Sequence, residues 1–214
     1  MRASLADQSL AIALGANLSS PAGDPADTLV AVRPQLEGLL QRWWAALTDA
    51  AATEPLDAPP GLQCHWSPLF ATAPVGGPAD QPDYCNAVLV VACGPRWPAP
   101  SVAAAAELLE ALHQLERRYG RQRRERWGPR SLDLDLLWWG ELAVASASLE
   151  LPHPRWHERD FVLAPLVAIE RRRGVALGCP HPAGLSLAAA ASAAQPPLAE
   201  PVPEPLPPRS GWPE

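Results

Sequence analysis

LERRYGRQRRERWGPRSLDLDLL, residues 115–137, carries three kinds of local order in succession. It opens as the end of a helix, crosses an arginine-rich loop and closes on an alternating strand. Residues 131–139 (SLDLDLLWW) alternate strictly at first, and a period of two is the repeat of a β-strand. Leu132, Leu134 and Leu136 then face a core, while Asp133 and Asp135 project together on the other face. Upstream, residues 101–119 place Val102, Ala105, Leu108, Leu109, Leu112, Leu115 and Tyr119 at helical spacing. Gly120 is a natural stop for that helix, and Arg117 and Arg118 suit its last turn, where cations are favoured.

Working outward toward the N-terminus, residues 84–93 (YCNAVLVVAC) read as a valine-rich strand. Residues 62–72 form another, interrupted by Pro68. Glycines and prolines make residues 73–82 a loop. Residues 9–14 (SLAIAL) read as a buried strand ending at Gly15. Asp24 is a candidate N-cap, Pro25 suits the first helical position and Asp27 the first turn. Leu29, Val32, Leu36, Leu39 and Leu40 continue that helix, with a kink expected at Pro34. Residues 45–61, rich in Ala and Pro, read as a loop insertion. Toward the C-terminus, residues 142–151 are expected to pair with the LDLDL strand, and a short helix to cover 157–169. The domain is set at 1–190. Residues 191–214 form a Pro-rich tail, extended and disordered, whose removal from 195 onward should leave stability unchanged. The order strand, helix, strand, strand, helix, strand is the ferredoxin-like pattern. It predicts a single-domain α+β fold, an antiparallel sheet with helices on one face.

Composition narrows the chemistry. The chain of 214 residues has 48% hydrophobic residues, enough for one core, and no apolar run that approaches a membrane span. The start does not resemble a signal peptide, so a soluble cytoplasmic protein is expected. A net charge of −6 disfavours non-specific nucleic-acid binding. Cys64, Cys85, Cys93 and Cys179 show no Cys-x-x-Cys spacing and read as small buried hydrophobes. All 17 basic residues are arginines, nine of them between Arg117 and Arg159. Without lysine the chain has no Gly-Lys-Ser/Thr loop, so phosphate must be held by arginine, metal or backbone amides.

Asp133 and Asp135 offer two hard oxygen ligands side by side, which suits Mg²⁺ completed by substrate phosphates. Taken alone, the same alternation also describes the solvated face of a strand. The loop before them holds Arg121, Arg123, Arg124, Arg126 and Arg130. Guanidinium groups take the phosphate oxygens that a metal leaves free, and a metal–polyphosphate complex needs that pairing. Trp127 in this loop could stack on a flat ring or pack as a satellite. His153 and Arg159 could reach phosphate oxygens, and Asn86 could read the edge of a heterocycle with its donor and acceptor.

Together the stretches ALGANLSSP (13–21), SPLFATAPVGGPADQPDYCNAV (67–88), LERRYGRQRRERWGPRSLDLDLL (115–137) and LPHPRWHERDFVLAPL (151–166) resemble the 6-hydroxymethyl-7,8-dihydropterin pyrophosphokinases of folate biosynthesis, in the family's order. The resemblance implies transfer of diphosphate from ATP to the pterin alcohol, with AMP leaving. It implies two Mg²⁺ ions on Asp133 and Asp135, and a triphosphate held by Arg121, Arg130, His153 and Arg159. Arg121, Arg130, Asp133 and Asp135 would carry the chemistry. Arg123 and Trp127 would help close a loop, and Glu116 would lie near the nucleotide. Thr72, Pro74, Val75, Tyr84, Asn86 and Phe161 would form the pterin pocket, with the ring between Tyr84 and Phe161. A monomer with only small-molecule substrates is implied. Ala16, Phe70, the bulky Trp138 and Trp139, and Pro154 depart from the family's usual residues. A metal-dependent nucleotidyltransferase would need a basic groove, and an RNA-binding module exposed aromatics on its central strands. The charge and the paired aspartates oppose both.

Overall fold

The computed structural model describes residues 9–51, 62–78, 80–92, 97–122, 128–174, 177, 180 and 203–213. Strand β1 (Ser9–Ala16) is buried along its whole length and lies inside the sheet, next to one edge. It pairs antiparallel with β4 (Tyr84–Ala92) on one side and with β5 (Asp133–Trp139) on the other. The far edge of β4 takes two short strands in turn, β2 (Gln63–Trp66) and β3 (Phe70–Thr72), separated by Pro68 as the sequence suggests. All pairings are antiparallel, which bears out the α+β reading.

Helix α1 (Pro25–Ala51) starts where Asp24 caps it: the Asp27 amide donates to Asp24 Oδ1 at 2.8 Å. It buries Leu29, Val32, Leu36, Leu40, Trp43 and Trp44, a stripe at three- and four-residue spacing. The helix continues through Pro34, which sits on its exposed face. It also continues through 45–51, so that part of the expected loop is helical. Residues 52–61 lie outside the described residues. Helix α2 (Val102–Arg118) is capped by Ser101, whose Oγ accepts from the Ala104 amide at 3.2 Å.

Two cores flank the sheet. On one face Leu10, Ile12 and Leu14 of β1 and Leu134 and Leu136 of β5 pack under α1 and α2. On the other, Ala11, Ala13, Val88, Val90, Leu137 and Trp138 pack under α3 (Asp160–Arg173). Helices therefore cover both faces, where the sequence led us to expect one. A register shift between Ala11 and Ile12 explains a break in the alternation of β5. The extra residue of this bulge leaves Leu137 and Trp138 on the same face, while Trp139 turns to the first core against Trp43 at 4.9 Å.

Three further expectations are corrected. Residues 142–151 do not extend the main sheet. They form their own hairpin, β6 (Val144–Ala145) with β7 (Glu150–Leu151). The helix after it begins as a 3₁₀ turn at Trp156–Glu158, breaks at extended Arg159, and continues to Arg173. The tail is not wholly unpacked: β8 (Glu204–Pro205) pairs with β3, and Trp212 is buried. Apolar anchors placed among prolines can dock on a sheet edge even where they cannot join its interior. Cys85 is buried and Cys64 half-buried, and burial pushes both thiols up to about 12, so neither is a nucleophile at neutral pH. Cys93 and Cys179 lie outside the described residues. No described helix is long and apolar enough to cross a membrane.

Candidate active site

The face of the sheet not covered by α1 and α2 opens into a cavity of about 250 Å³, lined from β5 across β1 and β4 to β3. Ala13, Leu14 and Gly15 of β1 line it, and Leu14 turns its side chain to the opposite core, so the side chains of β1 on this face are small. Asp133 lies opposite Gly15 and Asp135 opposite Ala13, so both carboxylates stand over a floor without bulky side chains. Gly15 also lies opposite Asn86, and a Cβ at Gly15 would sit 2.7 Å from Asn86 Oδ1. Only glycine lets the amide lie across the sheet there. Asn86 in turn donates from Nδ2 to Thr72 Oγ1 at 2.6 Å, and both side chains are buried. That bond orients the Asn86 amide.

The two aspartates differ. Asp133 is paired with Arg121 at 3.1 Å and with Arg130 through its other oxygen. Arg121 also donates to the Leu132 carbonyl at 3.1 Å, so its guanidinium is held on two sides. Asp135 has no such contact ion pair among the described residues. Burial and the Asp133 charge push its carboxyl well above the usual range, against the opposing pull of Arg159 and Arg130. The Asp133 charge raises the proton affinity of Asp135, while the contact ion pairs to arginine fall on Asp133, so the charge at Asp135 is the less balanced of the two. Among the described residues no third His, Cys, Asp or Glu joins them in a metal-holding group. A pair of hard oxygen donors short of a full cage fits a magnesium ion that takes its other ligands from phosphate and water.

Arg130 sits at the centre of the site. Its amide donates to Asn17 Oδ1 at 2.7 Å, and its carbonyl accepts from the Asn17 and Leu18 amides at 2.9 and 3.1 Å. Its guanidinium lies over the Tyr84 ring, 5.9 Å from the centroid. Asn17 also donates from Nδ2 to the Pro82 carbonyl at 3.1 Å. One buried amide therefore ties the arginine segment to the 73–82 loop. The sequence reading passed over Asn17 as a loop residue. Its only signal was a lone asparagine just beyond a strand end.

On the opposite wall, the Arg159 guanidinium lies 5.5 Å from the Phe161 ring centroid. Thr72, Val75, Tyr84, Asn86, Arg130, Asp133, Asp135, Arg159 and Phe161 all line this cavity. Arg155 and Glu158 line it too, joined at 3.1 Å, and went unnoticed in the sequence. Pro74, Arg121 and His153 do not line it. Glu116 is placed elsewhere: it is buried, and its Oε1 accepts from the Leu134 amide at 2.9 Å. It acts on the site through the backbone between the two aspartates and through its charge, which also raises Asp135. Arg123 and Trp127 lie outside the described residues.

His153 Nδ1 accepts from the Arg155 amide at 3.3 Å, which leaves the ring proton on Nε2. Burial and the nearby Arg159 hold its pKa down at about 4. The unfolded chain then binds a proton between pH 6.5 and 4 that the folded chain refuses, so His153 subtracts stability as pH falls through that window. His153→Gln is expected to flatten the fall in urea midpoint between pH 7 and 4.5. A slope equal to that of the parent protein would show that the ring titrates freely.

The paired carboxylates, Arg130 and Arg159, the Asn86 amide and two aromatic rings thus share one cavity of a layered, antiparallel α+β fold. The family model described as 7,8-dihydro-6-hydroxymethylpterin-pyrophosphokinase (HPPK) matches residues 11–171, and the chain belongs to that family. It is 42% identical over 89 residues to the 2-amino-4-hydroxy-6-hydroxymethyldihydropteridine pyrophosphokinase of Synechocystis, a match that covers 42% of each chain. To the protein of that name from Haemophilus influenzae it is 38% identical over 103 residues, 48% of this chain and 59% of the relative. To the mitochondrial folate synthesis bifunctional protein of Arabidopsis thaliana it is 45% identical over 101 residues, 46% of this chain and 16% of that protein. The chain thus spans between 16% and 59% of the length of these relatives.

Proposed function

We propose that the chain transfers diphosphate from ATP to 6-hydroxymethyl-7,8-dihydropterin, giving AMP and the pterin diphosphate, a step toward tetrahydrofolate. One observation carries the reading: a single cavity joins the Asp133/Asp135 pair to the Thr72–Asn86 amide and the Tyr84 and Phe161 rings. Arginine and carboxylate handle phosphate, while the amide and rings recognise a bicyclic amide edge.

The pterin ring would lie between Tyr84 and Phe161, its edge read by Asn86, with Val75 at the mouth. Arg130 and Arg159, already within the cavity, would take phosphate oxygens of ATP. Arg121 and Arg130 would be drawn partly from Asp133 to the substrate, because phosphate offers them more charge. Asp133 and Asp135 would hold two magnesium ions, which supply charge neutralisation on the phosphates when bound. His153, neutral at working pH, would donate from Nε2 to a phosphate without repelling the neighbouring arginines. No serine or cysteine nucleophile is needed, since the hydroxymethyl oxygen attacks the β-phosphorus itself and AMP departs. Positioning and charge balance supply the rate. Arg123 and Trp127, in the family's closing segment, would cover the nucleotide. Glu116 would support the site from beneath. The proposal takes the protein as a monomer in the cytoplasm with small-molecule substrates alone.

The test is product identity. Incubation with ATP, Mg²⁺ and the pterin is expected to give AMP and a pterin diphosphate in equal amounts. ADP with a pterin monophosphate would reject attack at the β-phosphorus. AMP with free diphosphate would mean nucleotide hydrolysis rather than transfer.

A further inference from the structure

Strand β3 is three residues long and carries Thr72, the partner that fixes Asn86. A strand so short holds its place weakly unless both of its edges are paired. Here β4 takes one edge and the C-terminal segment takes the other. Ala71 lies opposite Glu204 and Phe70 opposite Pro205, and the Leu206 amide donates to the Leu69 carbonyl at 2.8 Å.

The segment is anchored beyond that pairing. Trp212 is 8% exposed, donates from Nε1 to the Ser67 carbonyl at 2.8 Å, and meets the Trp66 ring edge-on at 5.1 Å. Ser67 is bonded to β4 in both directions through Val88. Arg209 grips both oxygens of Asp24, at 2.7 and 3.0 Å, and reaches Asp27 at 3.2 Å. Arg33 Nε donates to the Gly211 carbonyl at 3.0 Å. Gly211 has φ +83°, and a Cβ there would come within 3.0 Å of Val30, so this passage over α1 requires glycine. The segment therefore links the wall of the cavity to the start of α1. The loop that leads into α1 contains Asn17, which holds Pro82 and Arg130.

We infer that residues 203–213 form a strap that positions the pterin-side wall, through β3 and Thr72 and through the Asp24 cap. The inference rests on the proposed function for the identity of the ligand. Trp212, Arg209 and Leu206 are positioning residues; none of them lines the cavity. The strap pairs directly with β3, whose Thr72 holds the Asn86 amide, and it reaches Arg130 only at one remove, through the loop that contains Asp24 and Asn17. Its loss therefore falls more heavily on one substrate.

The experiment uses the full chain with Leu206→Pro, which removes the donor to Leu69, and with Trp212→Ala. Pterin binding in the presence of Mg²⁺ and a non-hydrolysable ATP analogue, and nucleotide binding alone, are measured by titration calorimetry. Pterin affinity is expected to fall about tenfold, as when one or two wall contacts loosen, with nucleotide affinity within about twofold. Excess synthetic peptide 203–214 added to the Leu206→Pro protein should restore pterin binding. Equal losses for both ligands, or none, would overturn the inference. If either variant fails to fold, Arg209→Gln, on the surface, is expected to give the same selectivity at smaller size, and its absence counts against the strap equally. If the parent protein binds no pterin, the reading of the pocket fails by itself. The strap is then judged by amide exchange at residues 70–72, faster in Leu206→Pro if it holds and unchanged if it does not.

Discussion

Asp133→Asn and Asp135→Asn are each expected to lower magnesium-dependent AMP formation by about three orders of magnitude. Each removes an anionic ligand worth several kcal/mol of charge stabilisation, and every ~1.4 kcal/mol is tenfold in rate. The two variants should part company in stability. Asp133 is balanced by Arg121 and Arg130, so its loss strands two cations. Asp135 carries a carboxyl whose folded pKa is raised. Its stabilising share is complete below the unfolded value of 3.8 and is lost as pH rises through the folded value. Asp135→Asn should therefore unfold at higher urea than the parent at pH 8 without metal, and Asp133→Asn at lower. Turnover near that of the parent in both variants would reject the metal assignment, and identical stability changes would reject the asymmetry.

Trp138→Ala is expected to cost about 3–5 kcal/mol, the range for removing a large aromatic side chain from a packed core. The ring is fully buried beside the β5 bulge. It donates from Nε1 to Ser9 Oγ at 2.9 Å and packs on Trp156 at 5.2 Å. Its removal leaves a void and an unpartnered Ser9 hydroxyl, between the sheet and the turn that precedes Arg159. Trp138→Phe should lose less, since most of the volume stays. Equilibrium urea unfolding at pH 7 measures both. A loss under about 1 kcal/mol for alanine would mean that α3 collapses onto the sheet and fills the space.

The parts of the fold that could be read from sequence are those with a strong period. The LDLDL alternation gave the strand that bears the aspartates. The leucines of 101–119 gave α2, and the dense valines of 84–93 gave β4. What escaped depended on tertiary context. Helix α1 runs on past residue 45 because Trp43 and Trp44 pack into the first core, which the Ala- and Pro-rich stretch after them concealed. Proline content made the tail look unstructured, although Trp212 and Leu206 offered it anchors. In the site, residues on periodic elements or in dense clusters were found. Asn17, Arg155 and Glu158 were not, since a single polar residue in a loop carries no pattern. The burial of Glu116 on the Leu134 amide, between the two aspartates, likewise depends on tertiary context that no local pattern signals.

Strand β1 has one further consequence, for how the protein can change over generations. Its large residues, Leu10, Ile12 and Leu14, face the α1–α2 layer, and its small ones, Ala11, Ala13 and Gly15, face the α3 side, where Ala13 and Gly15 floor the cavity. One row of side chains is under pressure to fill space and the other to leave it empty. The sheet thus acts as a partition between two regimes of mutation. Drift among similar-sized aliphatic residues is tolerable on the first side. On the second, even one added methyl group, at Gly15, collides with the Asn86 amide in the cavity wall. A selection for sturdier variants would find its gains behind the sheet, and a selection for altered substrates would have to work in front of it.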